Sequence, residues 1–530
     1  MLWDGIPLND PFGGWVYWTR VAPEEIDRVE LSRGASTSVF GDRAMSGAIS
    51  LFSRPANRLR LTAAYEGGNK NTHSLTGGIS RTWADRFGVS TVLRAFTTDG
   101  YYIVPQRFRG AADTLAGVRF ISGVTRLDYF GGADRLFLKL DILAEDRENG
   151  TSLTQNSTSL GTLAAHYTRQ WTNDTISVLG YHTRQQYHAS FSSVSADRNT
   201  ERITFWQTVP AQATGGAGMW RHRGGFWNAL VGADAQRVSG TSTDRLVPTG
   251  LRIGGGSQLQ HGVFAQLDAT AGAATFFLGA RHQFTGNDTT FFSPSGGFVV
   301  GRRFLRARGS VFRSFRAPTL NELFRDFRAG NAETRSNPAL RPETLFGAEF
   351  GFDVNAENLH FSASLFRNEL HDLITNVTLS STPALIVRQR RNAAEALSRG
   401  VDLQADYRWR KLRFDAGYLF ADSRFSTSER IPQVPKNSGN AQATYVSDDT
   451  LVSLGLRSYS LQFEDDRNLF KLPGYASLQL SARRRLHQSL WATFALENAL
   501  DREFWVGYTT FPTIGAPRLW RAGLRWDSAK

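Results

Sequence analysis

From about Arg58 onward the chain is written in alternation. Leu136, Leu138, Leu140 and Ile142 alternate with Phe137, Lys139 and Asp141. Leu359, Phe361, Ala363 and Leu365 alternate with His360, Ser362 and Ser364, and Leu412, Phe414, Ala416, Tyr418 and Phe420 with Lys411, Arg413, Asp415 and Gly417. Period two marks strands with two different faces. A face this polar does not fit the inside of a soluble sandwich. It fits a wet lumen, with the apolar face turned to lipid.

Connection lengths support that reading. Short turns are expected at 84–86, 131–134, 171–174, 222–225, 271–274, 301–303, 355–358, 408–411 and 447–450. Longer polar stretches lie between them at 99–117, 146–159, 188–212, 239–257, 314–342, 370–397 and 499–516. Counting on this basis predicts about 22 antiparallel strands, an even number, with short turns at one rim and long loops at the other. The last strand, 518–526, sets Trp520, Ala522, Leu524 and Trp526 on one face.

The first residues read differently. Two alternating runs, Ile26–Leu31 and Ala48–Phe52, predict short strands with one buried face, and Gly34, Gly41 and Gly47 between them suit turns. Pro55 ends the second strand and 53–57 reads as a linker. The expected division is 1–57, a small domain, and 58–530, the barrel.

Three ordered blocks carry a family resemblance. The first is Asp4-Gly5, Ile26-Asp27-Arg28-Val29-Glu30, Arg33-Gly34, Val39-Phe40-Gly41 and Ser46-Gly47-Ala48-Ile49. The second is Phe315-Arg316-Ala317-Pro318-Thr319-Leu320-Asn321-Glu322-Leu323 with Asn337-Pro338-Ala339-Leu340-Arg341-Pro342-Glu343. The third is Glu497-Asn498-Ala499-Leu500-Asp501-Arg502 with Gly515-Ala516-Pro517-Arg518. Together they resemble a TonB-dependent outer-membrane receptor of the siderophore or cobalamin type. The resemblance implies an all-β membrane protein: a transmembrane barrel of about 22 strands, with the C-terminal part of a plug domain in its lumen. It also implies that an export signal, the segment presented to TonB and the first half of the plug do not stand before Asp4. Active transport by the chain as written is therefore not expected.

Composition narrows the classes. No apolar run approaches the roughly 18 residues of a spanning helix, and mean hydropathy is −0.32, so a helical membrane protein is excluded. The absence of cysteine removes disulfides, thiolate metal sites and cysteine nucleophiles. The net charge of +13 is spread as single arginines along the strands, which is not the clustered pattern of a nucleic-acid binder. Anionic ligands and lipopolysaccharide phosphates are the expected partners of that charge.

Candidate chemistry is sparse. No H-E-x-x-H, G-x-S-x-G or phosphate-cradling loop is present, and an enzyme is not expected. His182 and His188 share a strand face with Arg184 and Gln186. Residues six apart lie about 20 Å apart on a strand, so lumen or loop polar residues are the better reading than a metal site. Asp465-Asp466 and Asp141, Glu145 and Asp146 could hold calcium but read more simply as solvated loop carboxylates. No metal or cofactor is expected. The 9–18 stretch, NDPFGGWVYW, crowds Phe12, Trp15, Tyr17 and Trp18 into a turn. Packing between plug and wall is one reading. By the resemblance, the loop after the Asp-Gly strand rises to the ligand.

The expected ligand contacts are Asn9, Asp10, Phe12, Trp15, Tyr17 and Trp18, with Arg316, Arg325 and Arg328 on a basic loop helping to draw an anionic ligand in. Glu30 and Arg33 are expected to pair with charges of the lumen wall. The resemblance implies energised uptake of a ferric siderophore or corrinoid. It also implies TonB with ExbB–ExbD, outer-membrane lipid and the insertion machinery as partners, no nucleic acid, and a monomer in the outer membrane. A passive porin-like channel is the alternative, and a barrel enzyme a weaker one.

Overall fold

The computed structural model describes all residues except 35–36, 57–58, 287–288, 330–331, 383–384, 510 and 529–530. Twenty-two long antiparallel strands close into a barrel in sequence order. Its last strand, Leu519–Asp527, pairs with its first, Arg60–Gly68, from Arg521 opposite Gly68 to Asp527 opposite Thr62. Closure leaves no strand edge facing lipid, where an unpaired backbone group would find no water to bond. The expected 22-stranded barrel is therefore the observed one.

The two faces separate as the alternation requires. On the strand Asp134–Thr151, Leu136, Leu138, Leu140 and Ile142 are 36–47 % exposed on the outside, whereas Phe137, Lys139 and Asp141 are buried inside. Trp83, Tyr129, Trp171, Trp220, Trp409 and Trp526 are exposed beside the short turns. They form the aromatic girdle expected where hydrocarbon meets headgroups.

All nine expected short turns separate consecutive strands, and a tenth, at 488–489, joins Tyr475–His487 to Leu490–Glu497. The opposite rim departs from expectation. The stretches 146–159, 188–212, 239–257 and 370–397 are not loops but continuing ladder, and they close only at 152–153, 195–200, 247–250 and 382–385. Strand Ile386–Trp409 runs 24 residues, where about 9–11 suffice to cross a bilayer. Above the lipid band both strand faces meet water. The apolar alternation that signals a strand disappears there, although the hydrogen bonding does not.

Residues 2–53 hold a four-stranded sheet in the order Ile6–Pro7, Leu2–Trp3, Gly47–Ser53, Ile26–Arg33. Asp4 and Gly5, at φ +53° and +85°, make the two-residue turn that Asp-Gly favours. Gly47, at φ +149°, would place a Cβ 2.6 Å from the Ser32 carbonyl oxygen, so no larger residue fits. Both expected strands form, but their burial differs from expectation. Val29 and Leu31 are exposed, because Ile26–Arg33 is the sheet's edge strand; burial falls on its neighbour, at Leu51. The expected domain boundary at 57–58 lies outside the described residues.

This sheet and its connections pack on one arc of the wall. Trp3, Leu8, Val21 and Leu51 meet Val124; Ile6 meets Ala164 and Leu179. Tyr17 meets Phe120, Leu143 and Leu160, and Phe12 meets Val209, Ala211, Val238 and Leu320.

The placement of the lipid band is testable. Leu140→Arg should cost about 2–4 kcal/mol in equilibrium unfolding from lipid vesicles, as a cation forced into the hydrocarbon. Thr243→Arg, outward but beyond the apolar run, should stay within about 1 kcal/mol.

Candidate functional site

The plug is held by buried charge. Inward alternation on Asp134–Thr151 aims Lys139, Asp141 and Glu145 at it. Arg20 donates to Asp141, through Nη2 at 3.0 Å and a second contact through Nε, and also to Thr162. Both partners of that pair are almost fully buried. Lys139 donates to Asp4 at 2.8 Å and lies 3.4 Å from the Trp3 ring centroid. Thr19 donates to Glu145, which also accepts from Arg147 at 2.6 Å. Burial alone would raise the Asp4 acid; the Lys139 ammonium and the Ser53 donors override it and hold the carboxyl below its ordinary value.

This corrects one expectation. Asp141 and Glu145 are plug anchors in the lumen, not solvated loop carboxylates. Asp146 points the other way and accepts from Arg119 at 3.0 Å, so the three do not converge. Among the described residues no group of three His, Asp or Glu is placed to hold a metal ion.

The 9–18 stretch forms a loop beneath the hairpin rim. Asn9 bridges to Val16, and its amide donates to Gly14 O at 2.8 Å. Asp10 is wholly buried: its carboxylate accepts from Phe12 N at 2.9 Å, from Gly13 N and from Gln185. Burial without a cation raises that acid. Phe12 and Tyr17 are buried in the wall clusters already named. The six candidate residues therefore divide. Asn9, Asp10, Phe12 and Tyr17 shape and seat the loop, while Trp15 and Trp18 remain 41 % and 62 % exposed.

A narrow cavity joins the loop to the wall. Asp10, Phe12 and Trp15 line it with Gln185, Tyr187, Gln207 and Arg325. Trp15 stands edge-on to Tyr187 with centroids 6.4 Å apart. Arg325 lies 4.7 Å from the Phe327 ring centroid, and its buried Nε and Nη2 have no hydrogen-bond partner. Burial pushes its guanidinium down to about 10. Gln185 Oε1 is likewise buried without a donor. A guanidinium in this state is set up to receive an acceptor.

The loop carrying Arg325 is built by the second sequence block. Phe315, Ala317, Leu320 and Leu323 are buried, Thr319 caps the short helix Leu320–Phe324, and Asn321 N donates to Phe12 O at 3.0 Å. Arg316 gives Nε to Glu343 at 2.6 Å and both Nη atoms to Glu322 at 3.0 Å. Its donors bind the joint together and do not face the cavity. Arg328 lies exposed on the strand Phe327–Ala329. Elsewhere among the connections between strands, Arg198 clamps Asp113 at 2.9–3.0 Å, and Ile514 N donates to Ile103 O at 2.8 Å, which ties together segments far apart in sequence.

At the far end of the plug, Arg33 donates to Asp402 of the wall at 3.0 Å, while Glu30 pairs with Arg28 on its own strand. His182 and His188 are not in the lumen. They lie on the outer surface, bonded to Thr214 and Thr208 at 2.8 and 3.2 Å, because Thr183, Gln185 and Tyr187 take the inward positions. Sequence reasoning missed Gln185 and Tyr187 as cavity walls. Their signal was the opposite parity of the same strand, Thr183, Gln185 and Tyr187, which alternates with the histidine face.

The family described as TonB dependent receptor-like, beta-barrel matches residues 82–499, and the TonB-dependent Receptor Plug Domain matches residues 1–48. The heme/hemopexin utilization protein C of Haemophilus influenzae is 26 % identical over 235 residues, which is 38 % of this chain and 33 % of that relative. The iron-regulated outer membrane virulence protein of Vibrio cholerae serotype O1 is 22 % identical over 94 % of this chain and 79 % of its own length. The siderophore receptor PirA of Acinetobacter baumannii superposes with a TM-score of 0.79 over 99 % of this chain and 90 % of its own, at 13 % identity, a likeness of fold.

The plug anchors make a direct prediction. Asp141→Ala leaves Arg20 buried without its counter-ion and should weaken plug docking by about 3–5 kcal/mol. Hydrogen exchange at residues 19–33 would report the loss, and Arg20→Met with Asp141→Leu should recover most of it. Acid acts in the same direction at Asp4. A depressed carboxyl stabilises docking fully above its ordinary pKa of 3.8, and the contribution fades as pH falls through the lowered value. With a closed strand barrel, a plug seated in its lumen by buried ion pairs, and family matches over both parts, the chain belongs to the TonB-dependent receptors of the outer membrane.

Proposed function

We propose that this receptor takes up a large, scarce, anionic chelate, a ferric siderophore or a corrinoid, from outside the cell. The observation that carries this reading is the exposed pair Trp15 and Trp18 on the plug loop, beside a small cavity of about 60 Å³ where the Arg325 Nε and Nη2 have no hydrogen-bond partner. Trp15 and Trp18 offer flat apolar surface, and Arg325 offers donors to a carboxylate, catecholate or hydroxamate oxygen. Relatives named for heme/hemopexin utilization and as iron-regulated support an iron-bearing ligand.

Ligand bound there touches the loop that Asp10 fixes to Gln185 and that the short helix grips through Asn321. Its binding energy can therefore bias the plug. Transport then requires work against the Arg20–Asp141 and Asp4–Lys139 pairs, which we assign to TonB driven by ExbB–ExbD and the proton gradient. Assembly as a monomer by the insertion machinery, through the last strand Leu519–Asp527 with Leu524 and Trp526 on its outer face, completes the reading.

Titration of the purified protein with ferric chelates tests it. Trp15→Ala should lose roughly thirtyfold in affinity, about 2 kcal/mol. Arg325→Ala should lose affinity for anionic chelates and weaken the salt dependence of binding. A ligand bound tightly by the wild type and equally by Trp15→Ala overturns the apex assignment.

The passive-channel reading is not favoured, since the family matches are to receptors. A cavity of about 700 Å³ is lined by barrel residues alone, among them Arg413, Gln442, Ser453, Gln479 and Glu497. Planar-bilayer recording separates the two: a near-closed pore is expected of the receptor, and a large steady conductance would establish the channel.

A further inference from the structure

The outer surface carries a cationic patch whose reading is independent of the ligand reading and rests only on residence in the outer membrane. On the strands Asp134–Thr151, Asp174–Val194 and Trp227–Leu246 the outward apolar runs end at Ile142 and Ala144, at Val178 and Gly180, and at Ala233 and Ala235. The next outward positions are His182 and Arg184 on one strand and Arg237 on another. Register brings them together across the strand between. His182 stands opposite Thr214, which stands opposite Arg237, and Arg184 stands opposite Gln212, one outward position along. Adjacent strands lie about 4.8 Å apart and outward neighbours about 6.8 Å. Both guanidinium groups can therefore reach one headgroup lying over Gln212 and Thr214.

The patch has no acid of its own. Outward positions on the flanking strands are Ser157, Ser159 and Gly161 on one side and Ser257 and Leu259 on the other. Among the described residues neither Arg184 nor Arg237 forms an ion pair. Elsewhere the outward Arg119 is neutralised by Asp146 at 3.0 Å, and in the lumen Arg20, Arg281 and Arg308 each have an aspartate. Unpaired cations at the upper edge of an apolar belt, beside histidine and amide donors, complement one chemistry available at that height: phosphate on a lipid.

We propose that His182, Arg184 and Arg237 bind the phosphorylated headgroup of an outer-leaflet glycolipid, lipopolysaccharide, whose acyl chains lie along the belt below. The two arginines hold phosphate oxygens, and His182 and Gln212 add hydrogen bonds to phosphate or sugar.

The test uses the full chain purified in detergent, with heat-modifiable gel mobility confirming the folded barrel. Bis-phosphorylated lipid A is titrated and bound copies are counted by native mass spectrometry. Arg184→Gln with Arg237→Gln should weaken binding roughly thirtyfold, at about 1 kcal/mol per cation near an anionic membrane surface. Arg119→Gln should bind as the wild type does, and dephosphorylated lipid A should bind the wild type no better than the double variant binds lipid A. Equal binding by wild type and double variant overturns the site. So does tight binding of dephosphorylated lipid A by the wild type, which would show the acyl belt alone at work.

Discussion

The structure depends on putting charge where water cannot follow. A barrel wide enough for 22 strands cannot fill its lumen with its own side chains; here other chain occupies part of the space, and it is held by four separate apolar clusters and by charge. The buried pairs Arg20–Asp141 and Asp4–Lys139 supply that charge. Hydrophobic contact would hold the plug as firmly but less specifically. An ion pair has one register, and breaking it strands two charges in low dielectric. A plug so fixed is held in one position by a few discrete contacts.

The same logic orders the apex. Asp10 has no cation and is held by amide donors from its own loop and from Gln185, a seat that stiffens the loop without drawing it toward the charged wall below. The arginines nearby differ in fate. Arg316 spends all its donors on Glu322 and Glu343, whereas Arg325 is buried with donors to spare. Between two arginines nine residues apart, one builds the frame and the other lines the small cavity beside Trp15.

Much of this was legible in the chain. Strand number, closure and the face of Lys139 and Asp141 follow from period-two alternation, and the Asp-Gly turn and Gly47 from backbone sterics. What was hidden has physical causes. The hairpins above the membrane lose their alternation because both faces are wet, so 188–212 read as loop; on the strand before it His182 and His188 were given to the lumen, which hid the opposite, inward face of Gln185 and Tyr187. Val29 and Leu31 carried the pattern of a buried face, but sheet order, which no local pattern encodes, put them at an edge. The apex aromatics were found as a group. Their division into packed Phe12 and Tyr17 and exposed Trp15 and Trp18 depends on partners far away in sequence, such as Val209 and Leu143. Arg316 and Arg325 look alike as letters and part only when Glu343 is brought back across the connection.

The long ladders above the lipid band bear on kinetics. A vestibule made of floppy segments must be ordered each time a ligand enters, and that ordering subtracts from affinity. Here the wall is already stitched, from Asn156 opposite Ala189 to Val194 opposite Glu201 and from Thr243 opposite Ile253 to Arg245 opposite Leu251. The entropy of arranging it is spent once, at folding. The wall of the vestibule is thus hydrogen-bonded ladder before any ligand arrives, and irregular backbone is left to the connections between the strands.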